Sequence, residues 1–344
     1  MFTYSLCMIV KNESAILSRC LDSFSPYFNE IIIVDTGSDD NTKEIARRYT
    51  DKVYDFTWQD DFSAARNFAF SKCTCDYIYS CDADEILDEE NGRRLALLME
   101  AMLPEVEIVQ MKYVEEQGSS TVLNFKKELR PKLFKRQRQF TWIDPVHERI
   151  RLEPVVFDSD IEILHKPSGS HHSKRDFTIF KKAYSNSVPF SDNMYSMYAR
   201  ELYKHGSAED LADARDIFLK RISEQNIDED SFLMSQAVLC RCFRLNNDEV
   251  SLLKHALTAS ELVHDICSEI AYELGLYYQS QNDLSPAIYH YNRAAYDTAP
   301  LLNVHTGGDL PLNRLAECCE DLGEREKAAD FRLKASNWQL PEGD

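Results

Sequence analysis

Apolar runs alternate with amphipathic segments along the first half of the chain. Four apolar runs are typical of buried strands, and they lie at 4–10, 31–34, 53–56 and 77–81. Three intervening segments carry apolar residues at helical spacing, and they lie at 16–24, 43–48 and 62–71. Strands and helices that alternate at this spacing predict a parallel sheet with right-handed crossovers.

The pattern becomes less regular after residue 85. Apolar spacing predicts a helix near 92–102, and four shorter segments are strand-like, at 106–113, 132–135, 140–143 and 161–165. We therefore expect the sheet to continue through this part of the chain with less regular topology.

From about residue 176 onward the chain is predicted to be almost wholly helical. Leu274-Gly275, Tyr278, Ala287 and Ala294 fit the tetratricopeptide pattern, and a second copy begins 41 residues later at Leu315. A weaker copy lies at 198–221, and a generic helical bundle is the alternative. We predict two domains, an α/β domain at 1–190 and an all-α, tetratricopeptide-like domain at 191–344.

Composition narrows the functional classes. The formal net charge of −19 argues against nucleic acid, which is bound by clustered Lys and Arg. No apolar stretch approaches the roughly 20 residues of a membrane span, and the apolar N-terminus lacks the basic start of a signal peptide. The ten cysteines form no paired C-x-x-C knuckles, which is typical of reduced thiols. We expect a cytoplasmic protein, or one peripheral to the inner face of the membrane.

Polar motifs follow three of the predicted strands. Asn12 and Glu13 follow the first strand, Asp35 ends the second, and Asp82 and Asp84 follow the fourth. The carboxyl ends of neighbouring parallel strands meet at one edge of a sheet, where open α/β sheets bind ligands. Two carboxylates on so short a tether suit Mg²⁺ or Mn²⁺, so the sequence predicts a metal and phosphate site at this edge.

These motifs resemble those of the family 2 glycosyltransferases, which have the α/β GT-A fold. The resemblance is carried by "SLCMIVKNES", "EIIIVDTGSDDNT", "DFSAARN" and "DADE", four motifs in the family's order. It implies an inverting transferase that takes a sugar from a nucleotide-diphosphate donor, a UDP-sugar in our expectation. The residues implied in donor binding are Val10, Asn12, Glu13, Asp35, Gly37, Ser38, Arg66, Asn67 and Asp82.

The resemblance also implies a metal and a base. Asp82, Asp84 and His165 would hold Mn²⁺ or Mg²⁺, which would stabilise the leaving diphosphate as a Lewis acid. The family's base is an acidic residue later in the sheet, and Glu148 stands there in this chain, with Asp144 and His147 as alternatives. Such a base takes the proton from the acceptor nucleophile.

The sequence is compatible with more than one acceptor and with more than one role for the helical domain. The acceptor is a protein or peptide, or a cell-envelope glycan, and the helices would dock it or form a homodimer. A nucleotidyltransferase and a non-catalytic scaffold are the competing functions. Lys132, Lys135, Arg136 and Arg138 form a basic cluster that fits a phosphate-bearing acceptor or a solvated hairpin.

Overall fold

A computed structural model describes residues 1–115, 127–150, 155–166, 173–263 and 265–342. The described residues up to 166, with Glu342, form one compact unit, and residues 173–341 form another. The units therefore divide before the expected domain boundary at residue 190. The helix at Ser173–Ser185 belongs to the second unit because Phe180 stacks on Tyr198, with ring centroids 4.4 Å apart.

An eight-stranded sheet forms the centre of the first unit, in the order β3-β2-β1-β4-β7-β6-β8-β5. Its strands are β1 (Tyr4–Val10), β2 (Glu30–Asp35), β3 (Val53–Asp55), β4 (Tyr77–Cys81), β5 (Glu85–Ile86), β6 (Ile108–Glu115), β7 (Lys127–Lys135) and β8 (Val156–His165). The helices of this unit are α1 (Leu17–Phe24), α2 (Thr42–Ala46), α3 (Phe62–Lys72) and α4 (Glu89–Glu100). Strands β3, β2, β1 and β4 are parallel, whereas β7 is antiparallel to both of its neighbours.

The predicted α/β architecture is confirmed, with one correction to its strands. Residues 140–143 form no strand, and Ile143 makes an isolated antiparallel bridge to Arg149. The backbone N–H of Trp142 is not available to pair with a neighbouring strand, because it donates to the side-chain oxygen of Asn67 at 2.8 Å.

The parallel strands are buried on both faces, as their apolar runs predict. On one face Leu6 and Met8 of β1 pack with Leu17 and Leu21 of α1. On the other face Cys7, Ile32 and Val34 pack with Ala69 of α3. Side chains alternate between the two faces along a strand, so a shift by one residue would move each apolar side chain to the opposite helical layer. Packing against both layers therefore fixes the register of the strands. In that register Val10 lies beside Asp35, and Met8 beside Cys81.

The second unit is wholly helical. Its helices are α5 (Ser173–Ser185), α6 (Asp192–His205), α7 (Ala208–Arg221), α8 (Glu229–Leu245), α9 (Glu249–Leu262), α10 (Ser268–Ser280), α11 (Leu284–Asn292), α12 (Asp309–Asp321) and α13 (Arg325–Asn337). Gly275 of α10 lies directly beneath the ring of Tyr291, and Ala287, Ala294 and Ala328 are buried. Close packing at these small residues agrees with the repeat pattern, and the tetratricopeptide assignment stays a prediction. Of the helices in the described ranges, none combines the length and apolarity that a bilayer crossing needs.

Glu30 joins three segments of the first unit. It is buried at the start of β2 and accepts hydrogen bonds from the Ser5 hydroxyl and from the Thr74 N–H and hydroxyl, the last two at 2.8 Å. Lys52 pairs with it at 2.5 Å. Burial acts to raise the pKa of Glu30, but these partners outweigh burial and lower that pKa to about 2.

Replacing Glu30 by Gln should therefore lower the free energy of unfolding at neutral pH by about 1–3 kcal/mol, because buried donors lose a charged acceptor. A lowered pKa means that the folded state prefers the charged carboxylate. The stabilisation is full above the ordinary pKa of 4.5 and is lost as pH falls toward 2. Melting curves should show the gap between wild type and Glu30→Gln closing over that range. Glu44→Gln, at an exposed position, is the control, and a constant gap would contradict the assignment.

Replacing Gly275 by Ala should destabilise the helical unit. A Cβ there would lie 2.4 Å from Cε1 of Tyr291, and a buried ring cannot give way easily. We expect a loss of about 1–3 kcal/mol in urea unfolding, typical of overpacking. Ser280→Ala, on an exposed position of the same helix, should change little. Equal stability of the two variants would exclude close packing of α10 on α11.

Candidate active site

The loops after β1 and β2 are fastened to each other. The Thr36 N–H donates to the Val10 carbonyl at 2.9 Å. The Asn12 N–H donates to Oγ of Ser38 at 2.9 Å, and the Asp39 N–H donates to Oδ1 of Asn12 at 3.0 Å. Asn12 adopts a φ of 57°, a left-handed conformation that asparagine tolerates well. The two predicted binding loops therefore form one preorganised surface.

Glu13 is positioned by its backbone. Its N–H donates to the Thr42 hydroxyl at 2.8 Å, and its carbonyl accepts from the Leu17 N–H at 2.9 Å. The first contact joins the start of α2 to the loop after β1, and the second leads the chain into α1. Glu13 thus lies at the same sheet edge as Asn12 and Asp35.

Asp35 is buried where β2 ends. Its Oδ1 accepts the N–H groups of Gly37 and Ser38, at 3.0 and 2.9 Å, and the Lys43 ammonium lies 3.5 Å away. Gly37 has a φ of 105°, which disfavours any side chain. Within the described part of the chain, Oδ2 of Asp35 is buried without a hydrogen-bond partner. One oxygen therefore fixes the loop, and the other remains an acceptor for a ligand donor.

Arg66 connects three parts of the site. It lies in α3, which is capped by the Asp61 side chain. Its Nη2 donates to Asp82 at 2.8 Å, Nη1 donates to Ser80 at 2.9 Å, and Nε donates to Glu148. Burial disfavours the guanidinium charge, but Asp82 and Glu148 outweigh burial and raise the pKa of Arg66.

The ring of Trp142 covers the Arg66 guanidinium, whose carbon lies 5.0 Å from the ring centroid. Trp142 is held by Asn67, whose amide nitrogen donates to the Trp142 carbonyl at 2.9 Å and whose oxygen accepts the Trp142 N–H. Asn67 was predicted to touch the donor. Its amide fastens the segment that covers Arg66, which makes Asn67 a support of the site, and its contact with the donor stays a prediction.

Asp82 lies between two cations. Besides Arg66, the Lys132 ammonium lies 4.0 Å from Oδ2 of Asp82. Burial acts to raise the pKa of Asp82, but Arg66 and Lys132 outweigh it and hold that pKa below its usual range. Asp82 therefore remains a carboxylate at every physiological pH.

Lys132 and Glu85 form a buried ion pair beneath Asp82. Burial raises the pKa of Glu85 to about 7, against the opposing effect of Lys132. Lys132 was grouped with a basic surface cluster in the sequence, and this grouping is wrong. Its side chain points into the sheet unit because β7 pairs with β4. The other three basic residues of that cluster have separate partners. Lys135 and Arg136 donate to the backbone carbonyls of Pro104 and Cys75, and Arg138 forms an ion pair with Glu107.

Asp84 and His165 meet in the structure. Nε2 of His165 lies 2.9 Å from Oδ2 of Asp84, and the Lys166 N–H donates to the Asp84 carbonyl at 2.8 Å. The pairing of β5 with β8, which sets Glu85 opposite His165, creates this contact. Oδ1 of Asp84 is buried and has no hydrogen-bond partner among the described residues. This oxygen, beside the imidazole of His165, is therefore left as an acceptor within the described residues.

These donors suit a divalent cation in part. The described residues contain no cluster of three or more His, Cys, Asp or Glu side chains placed to hold a metal. Asp84 and His165 would supply two ligands, while Asp82 is engaged by Arg66. Mg²⁺ is commonly held by one or two carboxylates, with water and substrate phosphates completing its shell. The donor set fits a cation of this kind whose remaining ligands come from a phosphorylated substrate.

The candidate bases lie on one closed turn. Ile143 and Arg149 exchange backbone hydrogen bonds, both at 3.0 Å, and the Pro145 carbonyl accepts the Phe62 N–H at 2.8 Å. Asp144 and His147 have φ values of 72° and 50°. Asp144 pairs with Arg149 at 3.0 Å, whereas Glu148 pairs with Arg66. The turn is thus fixed to the start of α3, and Glu148 is the carboxylate that it presents to Arg66.

Residues 5–152 match the family model described as glycosyl transferase family 2. This match confirms the resemblance found in the four motifs over this part of the chain. It covers the described sheet from β1 to the turn that carries Glu148. The helical unit lies outside it.

Three curated proteins resemble this chain over parts of their length. A TPR repeat-containing protein of Synechococcus elongatus is 36% identical over 146 residues, which are 42% of this chain and 35% of that protein. The glycosyltransferase SunS of Bacillus subtilis is 34% identical over 33% of this chain and 28% of its own. The lipopolysaccharide core biosynthesis glycosyltransferase LpsC of Rhizobium meliloti is 31% identical over 28% of this chain and 37% of its own. The matches therefore span about a third of these relatives.

Removing the Lys132 charge should strongly destabilise the sheet unit. Lys132→Met would leave Glu85 buried without its cation, and we expect a loss of about 3–5 kcal/mol in urea unfolding. The deficit should grow as pH rises through about 7, where Glu85 of the wild type ionises, because only the wild type has a cation to stabilise the buried charge. Lys127→Met, whose partner Glu162 is only half-buried, is the control from the same strand. Adding Glu85→Gln to Lys132→Met should recover part of the loss, and failure to do so would contradict the pairing.

Proposed function

We propose, from the premise that residues 5–152 form a glycosyl transferase family 2 domain, that the protein transfers a sugar from a nucleoside diphosphate donor with inversion at the anomeric carbon. A UDP-sugar is the proposed donor. The observation that carries this proposal is the convergence of Asp35, Arg66, Asp82 and Asp84 at one sheet edge, each fixed by its own backbone or ionic contacts. The family match favours this activity over nucleotidyl transfer.

The nucleoside end of the donor would lie against the joined loops after β1 and β2. The buried and unpartnered Oδ2 of Asp35 supports recognition of a base N–H, since an ionised carboxylate is an acceptor without donors. Val10, Asn12, Glu13, Gly37 and Ser38 are the proposed lining of the base and ribose pocket. Gly37 carries no side chain that would obstruct the approach of a ligand to its backbone.

The diphosphate would lie between Arg66 and the Asp82–Asp84 turn. A guanidinium forms strong, directed hydrogen bonds to phosphate oxygens. Asp84 and His165 would hold Mg²⁺ or Mn²⁺, with Asp82 beside them. When bound, the cation would supply charge neutralisation for the departing diphosphate.

Glu148 is the proposed base, with Asp144 and His147 as alternatives on the same turn. It would accept the proton of the attacking hydroxyl, amine or thiol. We propose a protein, peptide or cell-envelope glycan as acceptor, and the name of LpsC, a lipopolysaccharide core biosynthesis glycosyltransferase, supports the glycan. The helical unit is the proposed site of acceptor docking or of self-association.

A binding screen tests this proposal without knowledge of the acceptor. UDP with Mn²⁺ should raise the melting temperature more than ADP or GDP does, because the nucleotide that binds most tightly stabilises the folded state most. A ligand at about 100 times its Kd adds about 2.7 kcal/mol to the free energy of unfolding. Asp84→Asn should lose the part of the UDP shift that depends on Mn²⁺. Asp160→Asn, at an exposed position of β8, should retain it.

Two results would contradict the proposal. A wild-type protein that responds to no nucleoside diphosphate would favour a non-catalytic scaffold. An Asp84→Asn variant with the full Mn²⁺-dependent shift would remove Asp84 from the metal site. If UDP binds as expected, the sugar can be identified by testing UDP-glucose and related donors for hydrolysis, measured as the release of UDP.

A further inference from the structure

The hydrogen-bonding capacity of Arg66 is largely taken up by other protein groups. Its Nε, Nη1 and Nη2 each donate to a protein group, namely Glu148, Ser80 and Asp82. A guanidinium carries five N–H bonds, so two remain for a ligand. A diphosphate at this position would therefore share Arg66 with two carboxylates.

Solvent screens this sharing weakly. The side chains of Arg66 and Glu148 are 12% and 11% exposed, and Trp142 covers the guanidinium face. Charges in such surroundings interact more strongly than at a surface. Each anion that approaches Arg66 therefore weakens the hold of the others.

The charges around Arg66 are unbalanced before a ligand arrives. Lys132 is the second cation of this group, and its ammonium is already paired with Glu85. The carboxylates of Asp82 and Glu148 both lie on Arg66. A diphosphate carries more negative charge than one divalent cation neutralises, so its binding would weaken one of the existing pairs.

Glu148 is the partner that can give way. Asp82 directly follows β4 and has Lys132 as a second cation within 4.0 Å. Glu148 lies on the turn 143–149, outside any strand. The turn is itself anchored by Asn67 on Trp142 and by Phe62 on Pro145. A change at Glu148 would therefore be a rotation of its side chain and leave the turn in place.

We infer that Glu148 and the diphosphate of the donor compete for Arg66, so that donor binding releases Glu148. The inference rests on the proposed function, because it assumes that a diphosphate binds at Arg66. Coupling between two ligands of one group is reciprocal: the factor by which Glu148 weakens the donor is the factor by which the donor weakens the Arg66–Glu148 pair. The proposed base thus becomes available to an acceptor once the donor is in place.

Titration calorimetry with UDP and saturating Mn²⁺ tests the competition without any turnover. Glu148→Gln removes the competing charge and should bind UDP about fivefold more tightly or better, the lower end of typical coupling factors. Glu107→Gln is the matched control, since Glu107 pairs with Arg138 away from Arg66 and loses the same charge. It should bind as wild type does. Glu148→Ala repeats the test should the Gln variant fold poorly.

A double-mutant cycle shows whether the gain passes through Arg66. In an Arg66→Gln background, Glu148→Gln should give no gain in UDP affinity. A gain that persists without Arg66, or that Glu107→Gln reproduces, would be a general effect of charge and would overturn the inference. Inorganic pyrophosphate with Mg²⁺ should show the same preference for Glu148→Gln, because the competition concerns phosphate oxygens.

The outcomes separate this inference from the proposed function. Wild-type binding of UDP with no gain in Glu148→Gln would overturn the competition and leave the proposed function intact. Binding of pyrophosphate alone, with the expected gain, would support the competition and exclude UDP as the nucleotide. A failure of every variant to bind either probe would overturn both.

Discussion

The candidate site depends on the buried ion pairs that Arg66 forms with Asp82 and Glu148. Arg66 joins the carboxyl end of β4, through Ser80 and Asp82, to the turn that carries Glu148. A guanidinium placed there without partners would be very unfavourable, since an isolated buried charge costs several kcal/mol. The surrounding carboxylates and the ring of Trp142 are therefore needed for folding as well as for the proposed chemistry. Folding of the sheet and assembly of the site are in this sense one event.

The strand edges and their polar residues could be predicted from local sequence. The apolar runs of β1, β2 and β4 each end in a polar motif, and parallel pairing makes those ends neighbours. Asp35, Asp82 and Asp84 were placed at this edge in this way, whereas Arg66 was named through the resemblance to the family. The contacts of these residues with Lys132, Trp142 and Glu148 could not be predicted, because they join segments that are distant in sequence. Nothing in the sequence around Lys132 distinguishes this buried lysine from the more exposed basic residues that follow it, which are Lys135, Arg136 and Arg138.

The same limit explains the errors in individual elements. Residues 140–143 have strand-like composition, but Asn67 takes the hydrogen bonds that a neighbouring strand would need. The contacts of Asn67 with Trp142 could not be predicted either, because the two residues are distant in sequence. Successive residues of a helix point in different directions, so Asn67 turns toward Trp142 while Arg66 turns toward Asp82. In the helical unit small residues such as Gly275 marked the close contacts, because packing there depends on size and spacing.

The two ends of the proposed donor meet surroundings of different kinds. Around Asp35 the loops are closed by backbone hydrogen bonds, and one carboxylate oxygen is left for the ligand, so binding there requires little rearrangement. Around Arg66 the charged groups are already paired with one another, and a ligand would compete with the protein carboxylates for the guanidinium charge. Affinity for the nucleoside would then come mainly from the preorganised end. The diphosphate end would contribute less to affinity, because part of its interaction energy would be used to separate charges that the free protein holds together. A site divided in this way ties the state of the catalytic groups to the presence of the donor.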